Sequence, residues 1–182
     1  MTLLIAGLVL WTVAHFFKRV TPGARASMGN AGKGVMAVLI LASVVMMVIG
    51  YRAAPVDVVF EAPSWGKPVN NILMLVAVAL LGMGSSKGRA RAWLRHPMLI
   101  GVLVWAGAHI LVNGDVASLV LFGGIAAWAV VSMVLINRGE GPWQRPEPGP
   151  ASGDVRWLVI SAVVFAVIAG IHIWIGPSPF GA

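Results

Sequence analysis

The 182-residue sequence contains no cysteine. That excludes disulfides, thiolate-held zinc and iron–sulfur clusters, and it leaves the redox compartment unread. Charge is also scarce. Only 10% of residues are Asp, Glu, Lys or Arg, against about 25% in a soluble domain, so this chain does not present polar faces to water on all sides. Acids are rarest: Asp57, Glu61, Asp115, Glu140, Glu147 and Asp154 all lie between the apolar runs rather than inside them. Carboxylate acid–base chemistry in the apolar part, or a di-iron site built on inward glutamates, is therefore not expected. There is no Walker loop and no dinucleotide fingerprint, and the chain reads as free of internal repeats.

What is abundant is apolar sequence, at 59% of residues. Runs long enough to cross roughly 30 Å of hydrocarbon, about 20 helical residues, fall at about 2–17, 34–53, 69–84, 97–113, 116–137 and 156–176. The first and third are short. None alternates as a barrel strand would, so the runs read as helices. The expectation is an all-α, polytopic membrane bundle of about six transmembrane helices forming one domain over 1–182. Met1–Phe17 is followed, not preceded, by Lys18 and Arg19, and no Ala-x-Ala site follows. It reads as a retained first helix rather than a signal peptide.

The 13 basic residues outnumber the 6 acids, but they sit between apolar runs, so the lipid bilayer and not nucleic acid is the expected partner. Lys18, Arg19, Arg25 and Lys33 occupy the first connection, Lys87, Arg89, Arg91 and Arg95 the third, and Arg138, Arg145 and Arg156 the fifth. That bias places the odd connections in the cytoplasm and both termini in the periplasm. Asn113-Gly114-Asp115 reads as a minimal reversal in which Asn and Gly supply positive φ. Residues 138–155, rich in Pro and Gly, read as a flexible cytoplasmic linker. Gly82, Gly84 and Gly88 resemble a small-residue packing face. Trp65, Trp93, Trp143 and Trp157 read as interfacial anchors.

All four histidines, His15, His96, His109 and His172, lie in or at the end of a run. An ionisable group there is costly, so a functional role is the first expectation, and a neutral imidazole tying two helices together is the bland one. Two imidazoles on facing helices, with no thiolate or carboxylate near, suit bis-histidine haem better than zinc. Trp105 precedes His109 by one turn and shares its face. Pro97 marks a helix start, leaving Arg95 and His96 at the membrane surface, where they could meet an anion or a lipid headgroup or serve simply as a positive-inside anchor. At about 1.5 Å per residue, His15 sits roughly 5 Å from the basic side, His109 roughly 20 Å and His172 roughly 24 Å. Depth therefore pairs His109 with His172 and His15 with His96.

The stretch from His96 to Gly123, "HPMLIGVLVWAGAHILVNGDVASLVLFG", together with "AHFF" at 14–17, "GYRAAP" at 50–55 and the terminal "HIWIGPSPFG", resembles the NnrU family over nearly the whole chain. The resemblance implies a bacterial inner-membrane protein linked to denitrification, with nitrite or nitric oxide reductase components as partners. That family is similar to plastid zeta-carotene isomerases, which hold haem b through histidines. Carried over by motif, the ligands fall on His15 and His109; the depth count makes His172 the alternative ligand, and Trp105, on the His109 face, is packing or a wall of the cofactor pocket. Where those isomerases have a cysteine, this chain has Ala106. The "RHP" element also resembles isoprenylcysteine methyltransferases, although the acidic residues of their S-adenosylmethionine region have no counterpart near the C-terminus. The expectations are thus a haem-binding membrane protein, an intramembrane isomerase or methyltransferase, or a cofactor-free subunit.

Overall fold

The computed structural model describes residues 1–176 and 178–180, and within them the chain is helical apart from its connections. The helices are α1 (Thr2–Val20), a short α2 (Pro22–Ser27), α3 (Ala31–Arg52), α4 (Gly66–Met83), α5 (Pro97–Val112), α6 (Val116–Glu140) and α7 (Ala151–Ile175). Five are long and apolar enough to cross a membrane, and α5 is a shorter apolar helix. The shortness expected of the first and third spans falls instead on this fourth one. Its 16 residues reach only about 24 Å. Pro97 fixes where α5 begins, and a docked turn fixes where it ends.

That turn does not work as its sequence suggests. Asn113 has φ −127°, and among the described residues only Gly29 and Gly141 take positive φ. The reversal is held from outside. Val59 and Phe60 donate backbone N–H groups to the Gly114 carbonyl at 2.7 and 3.2 Å, and Val116 donates to Asp57 at 2.9 Å. Gly114 is required because a methyl there would fall on the Phe60 carbonyl. The 53–65 connection is thereby stitched to the α5–α6 turn.

Asp115 caps α6. Its Oδ1 accepts from the Ser118 N–H at 2.9 Å and its Oδ2 from the Ser118 hydroxyl at 2.5 Å. Ser118 is fully buried, and with its proton given to Asp115 its oxygen is left to accept from Tyr51, the chain's single tyrosine, at 2.8 Å. Burial pushes the Asp115 carboxyl up, but the Ser118 hydroxyl and N–H, with the neighbouring backbone, outweigh it and hold the group below its ordinary value. A depressed carboxylate contributes stability that is present above its unfolded pKa, about 3.9, and is lost as pH falls through the folded value. Asp115→Ala should cost about 1 kcal/mol, as N-cap losses do. Thermal unfolding followed by tryptophan fluorescence should show that difference at pH 7 and a smaller one below about pH 4.

Apolar burial cannot drive helix association in lipid, so close backbone approach must. Gly7 lies against Ser43 and Met47, and a methyl on Gly50 would strike the Leu4 backbone, which brings α1 and α3 together antiparallel. Gly101 does the same for α5 against Ala77 and Leu80 of α4. The neighbours run in the order α3, α1, α6, α5, α4, α7. The central α6 is apolar all round and receives α1 on one side and α5 on the other. Both described ends of the chain lie on the side of the 53–65 connection, where Asn71 donates to the Pro179 carbonyl at 3.0 Å.

At the other end, Gly82, Gly84 and Gly88 do not form one face. Gly82 borders Trp157 of α7, Gly84 borders Pro97, and Gly88 is pressed against Asp154. The linker has neither helix nor strand from residue 142 to residue 150, and its C-terminal end is pinned. The Gly149 N–H donates to Gly88 at 3.0 Å, and the Asp154 carboxylate accepts from the Ala90 N–H at 3.0 Å. Trp157 is a helix tie as well as an interface residue, since its indole donates to the Ala79 carbonyl at 2.8 Å.

Candidate functional site

His15, three residues before Lys18 on α1, donates its Nδ1–H to the Trp11 carbonyl at 2.8 Å. A neutral imidazole has one donor nitrogen, so Nε2 is left with a free lone pair. This is the tautomer of a metal-ligating histidine whose second nitrogen is fixed by a carbonyl. His109 does the same to Trp105 at 2.9 Å and His172 to Ile168 at 2.9 Å. The donor chemistry of all three therefore fits ligation, and equally fits an unligated polar group satisfied by its own helix.

What separates them is the space around each ring. His15 packs between Trp11, with centroids 4.1 Å apart, and Trp128 of α6, at 4.9 Å. It lines two adjoining cavities. One, about 550 Å³, is almost wholly apolar and is walled by Trp11, Trp105, Trp128, Met47 and Tyr51. The other, about 530 Å³, opens toward Arg19, Arg95 and His96. His15, Leu81, Met98 and Trp128 border both. The result is a two-part chamber with a histidine where the parts meet, an aromatic part that also carries Arg52, and a mouth lined by Arg19, Arg95 and His96. Each part falls in the size range of small-molecule sites. The indole N–H groups of Trp11 and Trp128 beside His15 are buried without a partner. Native proteins rarely leave such groups unpaired without cause.

At the mouth, the His96 Nε2–H donates to the Asn137 side-chain oxygen at 2.8 Å, tying α5 to α6. Arg19 pairs with Glu140 at 3.3 Å, an exposed contact. Arg95 has no carboxylate partner among the described residues, so its charge is available.

His109 sits elsewhere. Its ring packs on Trp105 at 5.0 Å and Phe122 at 4.6 Å, and it shares with His172, Asn70 and Asn71 a pocket of about 50 Å³. Phe122 and Trp128, the α6 residues that hold the two histidines, are six positions apart. That is about 9 Å along the helix and about 120° around it. Neither of the His15 cavities contains His109, and the small pocket does not contain His15. The structure thus joins His109 to His172 and sets His15 near His96, the pairing that depth implies. Trp105 is the wall between the two regions, touching His109 on one side and the chamber on the other. For a macrocycle, the fit is good at His15. At His109 and His172 there is room for water or a small ion but not for a porphyrin.

Sequence reasoning missed Trp11, Trp128, Arg19 and Asn137. A signal for Trp11 was present. "WTVAH" at 11–15 and "WAGAH" at 105–109 are one motif, Trp-x-x-Ala-His, on helices that run in opposite directions. It is a short internal repeat in a chain that reads as having none.

The fold and this site define a polytopic helical membrane protein with an intramembrane, histidine-bearing chamber. The family model described as NnrU protein matches residues 3–179, and the chain belongs to that family. No curated protein and no solved structure matches it.

Proposed function

We propose that this NnrU-family protein binds one haem b in the chamber at His15, and that it serves nitrogen-oxide respiration in the bacterial inner membrane. The observation that carries the reading is the chamber itself: a free imidazole nitrogen at the waist, flat aromatic walls within, and Arg95 with His96 at the open end. His15 would hold the iron, Trp11, Trp105 and Trp128 would flank the ring, and the propionates would meet Arg95, which with Arg52 is one of two chamber-lining cations without an ion pair among the described residues. Bound there, haem supplies one-electron exchange. The chain's own part is to exclude water, fix the His15 tautomer and hold the carboxylates at the surface. His109 and His172, each satisfied by a carbonyl of its own helix, are then not ligands.

Titration of detergent-purified protein with haemin, read by tryptophan quenching, tests the anchoring. Arg95→Gln should weaken binding by about tenfold, in line with loss of one charge-assisted contact. Arg138→Gln, a basic residue outside the chamber lining, should leave it unchanged. Equal effects of both would contradict the assignment.

A second reading draws on the same chamber. Its apolar interior and polar mouth also suit a lipophilic substrate with an anionic end, as an isomerase or methyltransferase would take. Transfer of label from S-adenosylmethionine to a membrane extract would favour it.

A further inference from the structure

A separate groove, about 500 Å³, runs between α4 and α7, the last two helices of the row. Its floor is apolar, with Gly82, Trp157 and Val164, and its rim at the basic end carries Ser86, Lys87 and Arg156. Three features make this more than a lipid-facing crevice with ordinary surface cations. First, the Ser86 side chain lines the groove at 9% exposure, and its hydroxyl is buried with no partner. Second, neither Lys87 nor Arg156 is ion-paired among the described residues. The nearest acid by sequence, Asp154, has an oxygen engaged by the Ala90 N–H. Third, the two cations are held in register by backbone contact, because Gly88, Gly149 and Gly153 close so tightly that a methyl on any of them would strike the opposing segment.

The groove's shape follows α7 from Arg156 to Ile168, roughly 18 Å at 1.5 Å per residue. One leaflet of a roughly 30 Å hydrocarbon core is about 15 Å deep. A chain entering beside Trp157 therefore ends near mid-bilayer while its headgroup rests at the surface.

We infer that the α4–α7 groove is a binding site for one anionic phospholipid, its phosphate held by Lys87, Arg156 and the Ser86 hydroxyl and one acyl chain lying along Trp157 and Val164. The site adjoins the His15 chamber through Leu81 and Ser85 and the His109 pocket through Ile168, and it does not depend on the haem assignment. It would bind α7, whose principal partner is α4, more firmly to the bundle.

The test is native mass spectrometry of delipidated full-length protein with phosphatidylglycerol, phosphatidylcholine or inorganic phosphate. One phosphatidylglycerol per chain should be retained in preference to phosphatidylcholine. The double variant Lys87→Gln, Arg156→Gln should lower its affinity by about thirtyfold, the combined effect of two basic residues at a lipid surface. Both side chains are exposed, so the fold should survive. Gly82→Leu, which fills the groove beside Trp157 with the charges intact, should also displace the lipid. Equal retention of both lipids, or full retention by the double variant, would overturn the inference. Displacement by inorganic phosphate would assign the cations to a free anion. Retention by Gly82→Leu would show that no acyl chain lies in the groove.

Discussion

His15→Gln should purify as an intact membrane protein with less than about a tenth of the wild-type haem, while His109→Gln and His172→Gln keep most of theirs. The contrast rests on space and not on chemistry. All three imidazoles present a free Nε2, but only His15 borders cavities of porphyrin size. The pocket shared by His109 and His172 is about a tenth as large. Loss of even a group that only orients a metal ligand typically costs about tenfold to a hundredfold in metal affinity, so loss of the ligand itself should cost at least as much and empty the site during purification. A haem content measured by pyridine haemochrome checks the series. If His109→Gln empties the protein as fully as His15→Gln does, the chamber must close around both histidines and the separation along α6 is wrong. Loss of the His109 ring's packing on Trp105 and Phe122 should instead lower the unfolding temperature with haem retained.

Gly114→Val should be among the most damaging substitutions in the chain, at about 3–5 kcal/mol or with no folded protein recovered. The side chain would be forced onto the Phe60 carbonyl, and the strain cannot be relieved locally because the Val59, Phe60 and Val116 backbone bonds all converge there. The turn joins α3's exit to the start of α6, so its loss would also release the Tyr51–Ser118–Asp115 network. Gly123→Ala is the matched control. It lies mid-helix with nothing within 4 Å of an added methyl, and it should be neutral or stabilise by up to about 1 kcal/mol through reduced backbone freedom. Thermal unfolding of the two variants side by side measures the difference. Equal stability would mean that the 53–65 connection is not docked.

The comparison of Gly114 with Asn113 shows where sequence reading stops. That a reversal occurs at 113–115 was legible, because apolar runs end and resume there. How it is held was not, since Val59 and Phe60 come from a connection more than fifty residues earlier in the chain and carry no motif. The approximate helix positions were legible for a similar reason, from the apolar runs, and α5 begins at Pro97 as its ring requires. The extra turns of α6 and α7 into the linker were not, because Arg138, Glu140 and Asp154 look like connection residues.

The site divides along the same line. His15, Arg95, His96 and Trp105 could be named because they are rare residue types in apolar surroundings. Their partners on α6, Trp128 and Asn137, could not, because α6 is apolar on all faces and no periodicity shows which face meets α1 and which meets α5. The family resemblance points to His15 and His109 by motif, whereas counting residues from the basic ends pairs His109 with His172. The structure places the histidines as the count does, since helix rise is a geometric constraint on one chain and a shared motif is not. The Trp-x-x-Ala-His repeat explains why the two positions look alike in sequence. Each sets an indole one turn before an imidazole and meets an aromatic of α6, but the helices run in opposite directions and the two constellations end near opposite surfaces.

Haem in the chamber at His15 is the proposal on which the functional reading depends. Its most direct test is the absorption spectrum of the wild-type protein, purified in detergent from cells grown with added haem precursor and recorded oxidised and dithionite-reduced. A Soret band, reduced α and β bands of b type, and close to one haem per chain are expected. A protein that is folded, membrane-extracted and free of any Soret band under those conditions would contradict it.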